Sequence, residues 1–206
     1  MSRINTMLRS GLPLLVLLVP ESAHAHLVST RFGEFYSGLL HPLTTLVHLV
    51  PWLALAMFAS MQGKAFARRS LPLFPLAVGF GVILGISFSG LQNLLMLNII
   101  SFVVLGGLVA LSYPVPRAVG LTAVVLFALT HGYANGDVDL ADGSLTLYVA
   151  GVTTAAYLVV ALGAGAAVAI SERAAWGQIA LRALGSWILA AGLIYGGFEL
   201  MGVSGA

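Results

Sequence analysis

The stretch SLPLFPLAVGFGVILGISFSGLQNLLMLNIISFVVLGGLVALSYPVP, residues 70–116, runs for 47 residues without one Asp, Glu, Lys or Arg. A transmembrane helix takes about 20 mostly apolar residues. The stretch is therefore two crossings, folded back at the polar turn Ser89-Gly90-Leu91-Gln92-Asn93. Outward from it the same silence recurs: no charge lies between Glu34 and Lys64, Arg117 and Asp137, or Asp142 and Glu172, and only Glu199 follows Arg182. The pattern predicts six membrane helices, at roughly 37–60, 71–88, 93–112, 117–134, 145–170 and 178–200.

Composition agrees. Of 206 residues, 8% are charged and 59% are hydrophobic, and 24 are glycine. Soluble domains carry about 25% charged residues, so this chain cannot cover itself as a soluble globule. Its hydrophobicity also excludes disorder. The absence of cysteine excludes disulfides, thiolate metal sites and cysteine nucleophiles. A net charge of +2 is too small for a nucleic-acid footprint. The fold expected is all-α, a polytopic bundle of six helices.

The first 25 residues read differently. Arg3 and Arg9 stand without an acid, Gly11–Val19 is a short apolar run, Pro20 breaks it, and Ala23-His24-Ala25 supplies a small-residue cleavage site. That order is a secretory signal peptide, and nine apolar residues are too few to span. Cleavage after Ala25 leaves residues 26–206 as the membrane domain, beginning at His26 outside the cytoplasm. Of seven basic residues after the cleavage point, Lys64, Arg68, Arg69, Arg117, Arg173 and Arg182 then fall inside and only Arg31 outside. This is the asymmetry that sets orientation. Glu34, Asp137, Asp139, Asp142 and Glu199 fall on the outer side, so both termini are expected there.

Polar side chains in hydrocarbon are costly and therefore informative. His41, His48 and His131, with Asn98 and Glu199, all map to the outer halves of their spans, and the inner halves hold nothing comparable. His41-Pro42 reads as the start of the first deep helical run. His48 lies two turns on, about 10 Å deeper along a straight helix. Sharing one ion then requires either a bend at Pro51 or two successive sites. Pro51 frees the carbonyl of Val47, which suits a wet cavity or a packing kink equally. Imidazole is the usual ligand for divalent nickel, copper and zinc where thiolates are absent. An N-terminal His26 could add its amino group to its ring, an arrangement that also suits copper.

Other patterns say less. Gly81-x-x-x-Gly85 and Gly192-x-x-x-Gly196 read as close helix packing. Gly132-Tyr-Ala-Asn-Gly136 followed by Asp137, Asp139 and Asp142 is a glycine-rich acidic loop that either attracts cations or is merely solvated, and it lacks the spacing of an EF-hand. Ser87 or Ser89 with His131 lacks the third group of a serine hydrolase. No G-x-x-x-x-G-K-[ST] motif for ATP is present. The chain is read as non-enzymatic, without a prosthetic group.

Together these residues resemble a known family. The leader ending Ala-His-Ala, the run His41-Pro42-Leu43-Thr44-Thr45-Leu46-Val47-His48, and His131-Gly132-Tyr133-Ala134-Asn135-Gly136 with following acids are similar to the HupE/UreJ proteins. Those are small six-helix inner-membrane proteins tied to hydrogenase and urease accessory genes and regarded as nickel or cobalt permeases. The family's H-P-x-x-G-x-D-H keeps His41, Pro42 and His48 here, with Thr45 for Gly and Val47 for Asp. Its H-G-x-A-H-G-x-E keeps His131, Gly132, Ala134 and Gly136, with Asn135 for His and Val138 for the acid. The resemblance implies a bacterial inner-membrane secondary permease for nickel or cobalt as substrate, the ion being captured by His26 and the acids Asp137 and Asp139. His41, His48 and His131 would hold it, with Asn98, Asn135 and Glu199 supporting the pathway. It implies metalloenzyme-assembly proteins as partners, besides the lipid bilayer, and no nucleic acid. The alternatives are a metal-binding accessory protein that does not translocate the ion, and a metal-free structural subunit.

Overall fold

A computed structural model describes residues 22–88, 94–136, 138, 144–173 and 175–201, with side chains from Gly33 onward. Among the described residues every regular element is a helix: α1 (Ser22–Thr44), α2 (Leu46–Met61), α3 (Lys64–Ser87), α4 (Leu94–Leu111), α5 (Arg117–Asn135), α6 (Leu145–Arg173) and α7 (Gly177–Leu200). Five of these, α3 to α7, are long and apolar enough to cross a membrane, and α1 from Gly33 together with α2 forms a sixth if the bent pair is one span. The chain is a multi-pass membrane protein. Most of the expected leader, residues 1–21, lies outside the described residues, as do the fold-back at 89–93 and the acids Asp137, Asp139 and Asp142.

The first span departs from expectation. In place of one helix over 37–60, α1 ends at Thr44 and α2 begins at Leu46, with their axes 74° apart. Pro42 is in the last turn of α1, not at the start of the deep run, and α2 continues through Pro51. Thr45 makes the joint. Its backbone is extended (φ −100°, ψ 106°), its hydroxyl donates to the His41 carbonyl at 2.8 Å, and its own carbonyl accepts from His48 N at 2.9 Å and Leu49 N at 3.0 Å. The Thr44 hydroxyl also bonds back, to Leu40 O at 2.9 Å. Hydroxyls bonded to the preceding turn bend helices, and Pro42 has no N–H to continue α1's ladder. Gly33 (φ 71°) adds a separate kink, in a conformation only glycine adopts freely.

Polar contacts tie the ends of the elements together. At one end, Lys64 at the start of α3 pairs with Glu172 at the end of α6 at 3.7 Å, both well exposed. The Gln62 side chain bonds Tyr113 O at 2.8 Å and Val115 N at 3.0 Å, which joins the α2–α3 and α4–α5 connections. Arg182 Nε donates to Ala110 O at 2.9 Å. Arg68, Arg69, Arg117 and Arg173 belong to this same basic end. The opposite end holds the termini of α3, α5 and α7 and the starts of α4 and α6.

Burial is deepest along α2, where Trp52, Leu55 and Phe58 are each at most 2% exposed. Around α2, α3 packs mainly on α5, α4 on α7, and α1 on α6. Small residues set the closeness of these seams. A Cβ at Gly132 or Gly85 would collide with the backbone carbonyl of Val78 or Tyr133, and one at Gly106 would lie 2.5 Å from Leu189 N. Without a hydrophobic drive between helices in lipid, such close packing supplies much of the association.

Candidate functional site

Three helices bring their polar residues to one level. His48 lies 13 residues before the basic end of α2, Asn98 13 residues before that of α4, and His131 14 residues beyond the start of α5. At 1.5 Å per residue each is about 20 Å from the basic end, in the far third of a bilayer core about 30 Å thick.

The centre is a pair of imidazoles on separate helices. His48 Nδ1 and His131 Nδ1 are 3.4 Å apart, with ring centroids 5.7 Å apart and planes at 75°. His48 is 5% exposed and His131 1%. On its other side His131 Nε2 meets Ser101 Oγ at 2.8 Å. The Ser101 hydroxyl donates to Asn98 O at 2.5 Å, one turn back along α4. Asn135, one turn beyond His131, donates from Nδ2 to the His131 carbonyl at 2.8 Å, and Tyr148 of α6 donates to Asn135 O at 2.9 Å. These bonds satisfy two of the carbonyls at the end of α5.

The break at Thr45 also serves the site. On a straight helix His41 would stand two turns from His48, but the 74° bend brings the ring centroids to 5.9 Å. His41 is half-buried. Toward the basic end, His48 is followed by Trp52 at 6.3 Å between ring centres, and Trp52 by Phe74 edge-on at 5.6 Å.

Several buried polar atoms have no hydrogen-bond partner among the described residues. They are both side-chain atoms of Asn98, Oδ1 of Asn135 and Nε1 of Trp52. Most buried polar groups are satisfied, and leaving an amide unpaired in hydrocarbon costs several kcal/mol, of order 2–7. These atoms belong to residues about one helical turn from His48, Ser101 or His131, and each is available to a polar guest. Among the described residues no three His, Asp or Glu side chains converge within reach of one ion. The donors at hand are two imidazoles and neutral amides.

A family model described as HupE / UreJ protein matches residues 14–195. The chain belongs to the HupE/UreJ family. Protein HupE of Rhizobium leguminosarum bv. viciae is 30% identical over 179 residues, which is 87% of this chain and 92% of that protein. No solved structure matches the chain.

In this HupE/UreJ chain the candidate residues divide as follows. His48 and His131 meet, the His41 ring lies tilted beside His48, and Asn98 and Asn135 stand about one turn from Ser101 and His131 along their helices. Glu199 is half-buried in the last turn of α7, at the same end of the bundle. The side chain of His26, and Asp137 and Asp139, lie outside the described residues. Of the four departures from the family motifs, the lost acid and the lost imidazole occupy different settings: Val47 precedes His48 on α2, whereas Asn135 is fully buried one turn from His131. Sequence reading singles out neither Ser101 nor Trp52, and gives Thr45 only as the replacement of a motif glycine. Trp52 stands four residues after His48, so helical spacing is a sign for it, whereas the role of Ser101 depends on α5 lying opposite.

Proposed function

We propose that this chain is a secondary permease for a divalent transition-metal ion, nickel or cobalt, bound between His48 and His131 on its way in from the outer face of a bacterial inner membrane. The observation that carries the reading is the buried pair of ring nitrogens 3.4 Å apart, with the unpartnered side chain of Asn98 and the free Oδ1 of Asn135 about one turn from Ser101 and His131 along their helices. Two nitrogens at 2.0–2.1 Å from one tetrahedral ion are separated by about 3.3–3.4 Å, and a right-angled pair by about 2.9 Å. The observed spacing suits the first, and a half-ångström approach of the rings gives the second. Family membership supports nickel or cobalt as the substrate.

An ion that must leave again cannot be held by a full shell of strong ligands. Two imidazoles, with amide oxygens or retained waters in the other positions, meet that requirement. His41 and the N-terminal His26 stand earlier on the route and would pass the ion to the pair, with Asp137 and Asp139 drawing cations to the mouth. Both termini face outward in this reading, and the basic end faces the cytoplasm. Metalloenzyme-assembly proteins are the natural recipients on that side.

One observation favours a second reading, that of an accessory protein that holds the ion without moving it. From Trp52 and Phe74 toward the basic end, the core beside α2 is apolar and closed, through Leu55, Phe58 and Phe66. Translocation therefore requires the Trp52–Phe74 contact to open. The deciding experiment is nickel and cobalt flux into liposomes carrying purified protein, beside cellular uptake by wild type and His48→Ala at equal protein level. Flux that falls at least tenfold in His48→Ala supports the permease. Stoichiometric binding with no flux selects the accessory protein, and equal uptake by wild type and variant removes His48 from the function.

A further inference from the structure

The Ser101 hydroxyl stands between two partners, the Asn98 carbonyl at 2.5 Å and His131 Nε2 at 2.8 Å. A serine hydroxyl has one proton to give and lone pairs to accept with, whereas a backbone carbonyl can only accept. The proton is therefore committed to Asn98 O. The contact with the ring is then a hydrogen bond only if Nε2 carries hydrogen and donates it. A neutral imidazole has a single N–H. Nδ1 of His131 is left as a bare lone pair, and it is this atom that faces His48 Nδ1 at 3.4 Å.

We infer that Ser101 is a positioning residue: through the chain Nε2–H···Oγ–H···O=C it fixes the tautomer of His131 and so assigns Nδ1 as the nitrogen that meets the ion. The inference rests on the reading of the His48–His131 pair as the ion site. Ligating imidazoles commonly donate their second ring N–H to an acceptor that holds the ring in place, and here the acceptor is a hydroxyl anchored to the backbone. Ser101 and His131 are at most 1% exposed, which leaves no open position from which bulk water would substitute for the hydroxyl. His48 has the complementary role. In the metal-free site its Nδ1–H points at the His131 lone pair, and it must shift that proton to Nε2 to offer its own Nδ1. Binding therefore rearranges one ring, and the other stands ready.

The test uses the full chain, purified through a C-terminal tag without histidine and labelled with 15N at the histidine rings. His131→Gln identifies the His131 signals. In the metal-free wild type, His131 should show a protonated Nε2 and an unprotonated Nδ1; a protonated Nδ1 overturns the inference. Ser101→Ala should mix the two tautomers and weaken cobalt(II) binding, read from its visible absorption, by about 10- to 100-fold. Ser101→Thr keeps the hydroxyl and should restore both readouts to within a few-fold. A pure Nε2–H tautomer in Ser101→Ala overturns the positioning role, and so does a Ser101→Thr protein that behaves like Ser101→Ala. If Ser101→Ala does not fold, the wild-type spectrum and Ser101→Thr still decide. The wild-type tautomer is read without metal, so a protein that takes up no cobalt at all would refute the ion site and not the assignment of Nδ1.

Discussion

At the residue scale, the feature that sets this chain apart from the family pattern is Asn135. It occupies the place of a motif histidine, is fully buried one turn from His131, and keeps an unpartnered Oδ1. An amide there supplies a weak neutral donor where an imidazole would supply a strong one. Asn135→His should therefore tighten cobalt or nickel binding by about tenfold or more, equivalent to about 1.4 kcal/mol. Isothermal titration of purified protein checks this, and transport should slow as release becomes harder. An unchanged affinity would place Asn135 outside the ion's reach. Residues of this kind were legible from sequence, because an imidazole or amide inside an apolar run has an energetic cost that needs a reason. Ser101 was not legible. Serine in a membrane helix usually satisfies itself by bonding to the preceding turn, and nothing in the sequence says that His131 will lie across from it.

At the element scale, helix existence followed from hydropathy and length, while helix pairing did not. The expected starts at 145 and 178 fall within one residue of α6 and α7, because charges and turn residues bound those runs directly. The break in the first span is not legible in the prolines: Pro42 reads as a helix start and Pro51 as the place of a bend, and the break falls at Thr45. The hydroxyls of Thr44 and Thr45, bonded to the preceding turn, bend the chain there. Glycines carry the pairing information, but only some of them. Gly132 is backed against Val78 carbonyl, and a methyl group there has nowhere to go, whereas a Cβ at Gly107 meets nothing within 4 Å. Gly132→Ala should part α3 from α5, lower the melting temperature in detergent by several degrees and abolish metal binding, because the displaced turn carries His131. Gly107→Ala should bind normally and be slightly more stable, by about 0.5–1 kcal/mol, since alanine is the better helix residue. Equal melting temperatures for the two variants would mean that the α3–α5 seam is looser than its geometry requires.

At the scale of the whole molecule, the few charges act as an address. Those at the basic end are gathered in space as well as in sequence: Lys64 meets Glu172, Arg182 holds the end of α4, and Gln62 joins two connections. The imidazole pair stands about 20 Å away along α2 and α5. If the basic end faces the cytoplasm, the site opens to the compartment from which a scarce ion must be gathered. If it faces outward, the same site opens inward and the proposed direction of uptake reverses. The chain has no cysteine, so single cysteines can be introduced without background. Lys64→Cys, whose side chain is 85% exposed, reports the basic end, and Ser144→Cys, exposed at the start of α6, reports the other. A membrane-impermeant maleimide added to intact spheroplasts should label Ser144→Cys, and should label Lys64→Cys only after the membrane is opened. The reverse pattern would turn the molecule over. It would leave the fold and the imidazole pair as they are, and make the route from His131 past Trp52 one of export.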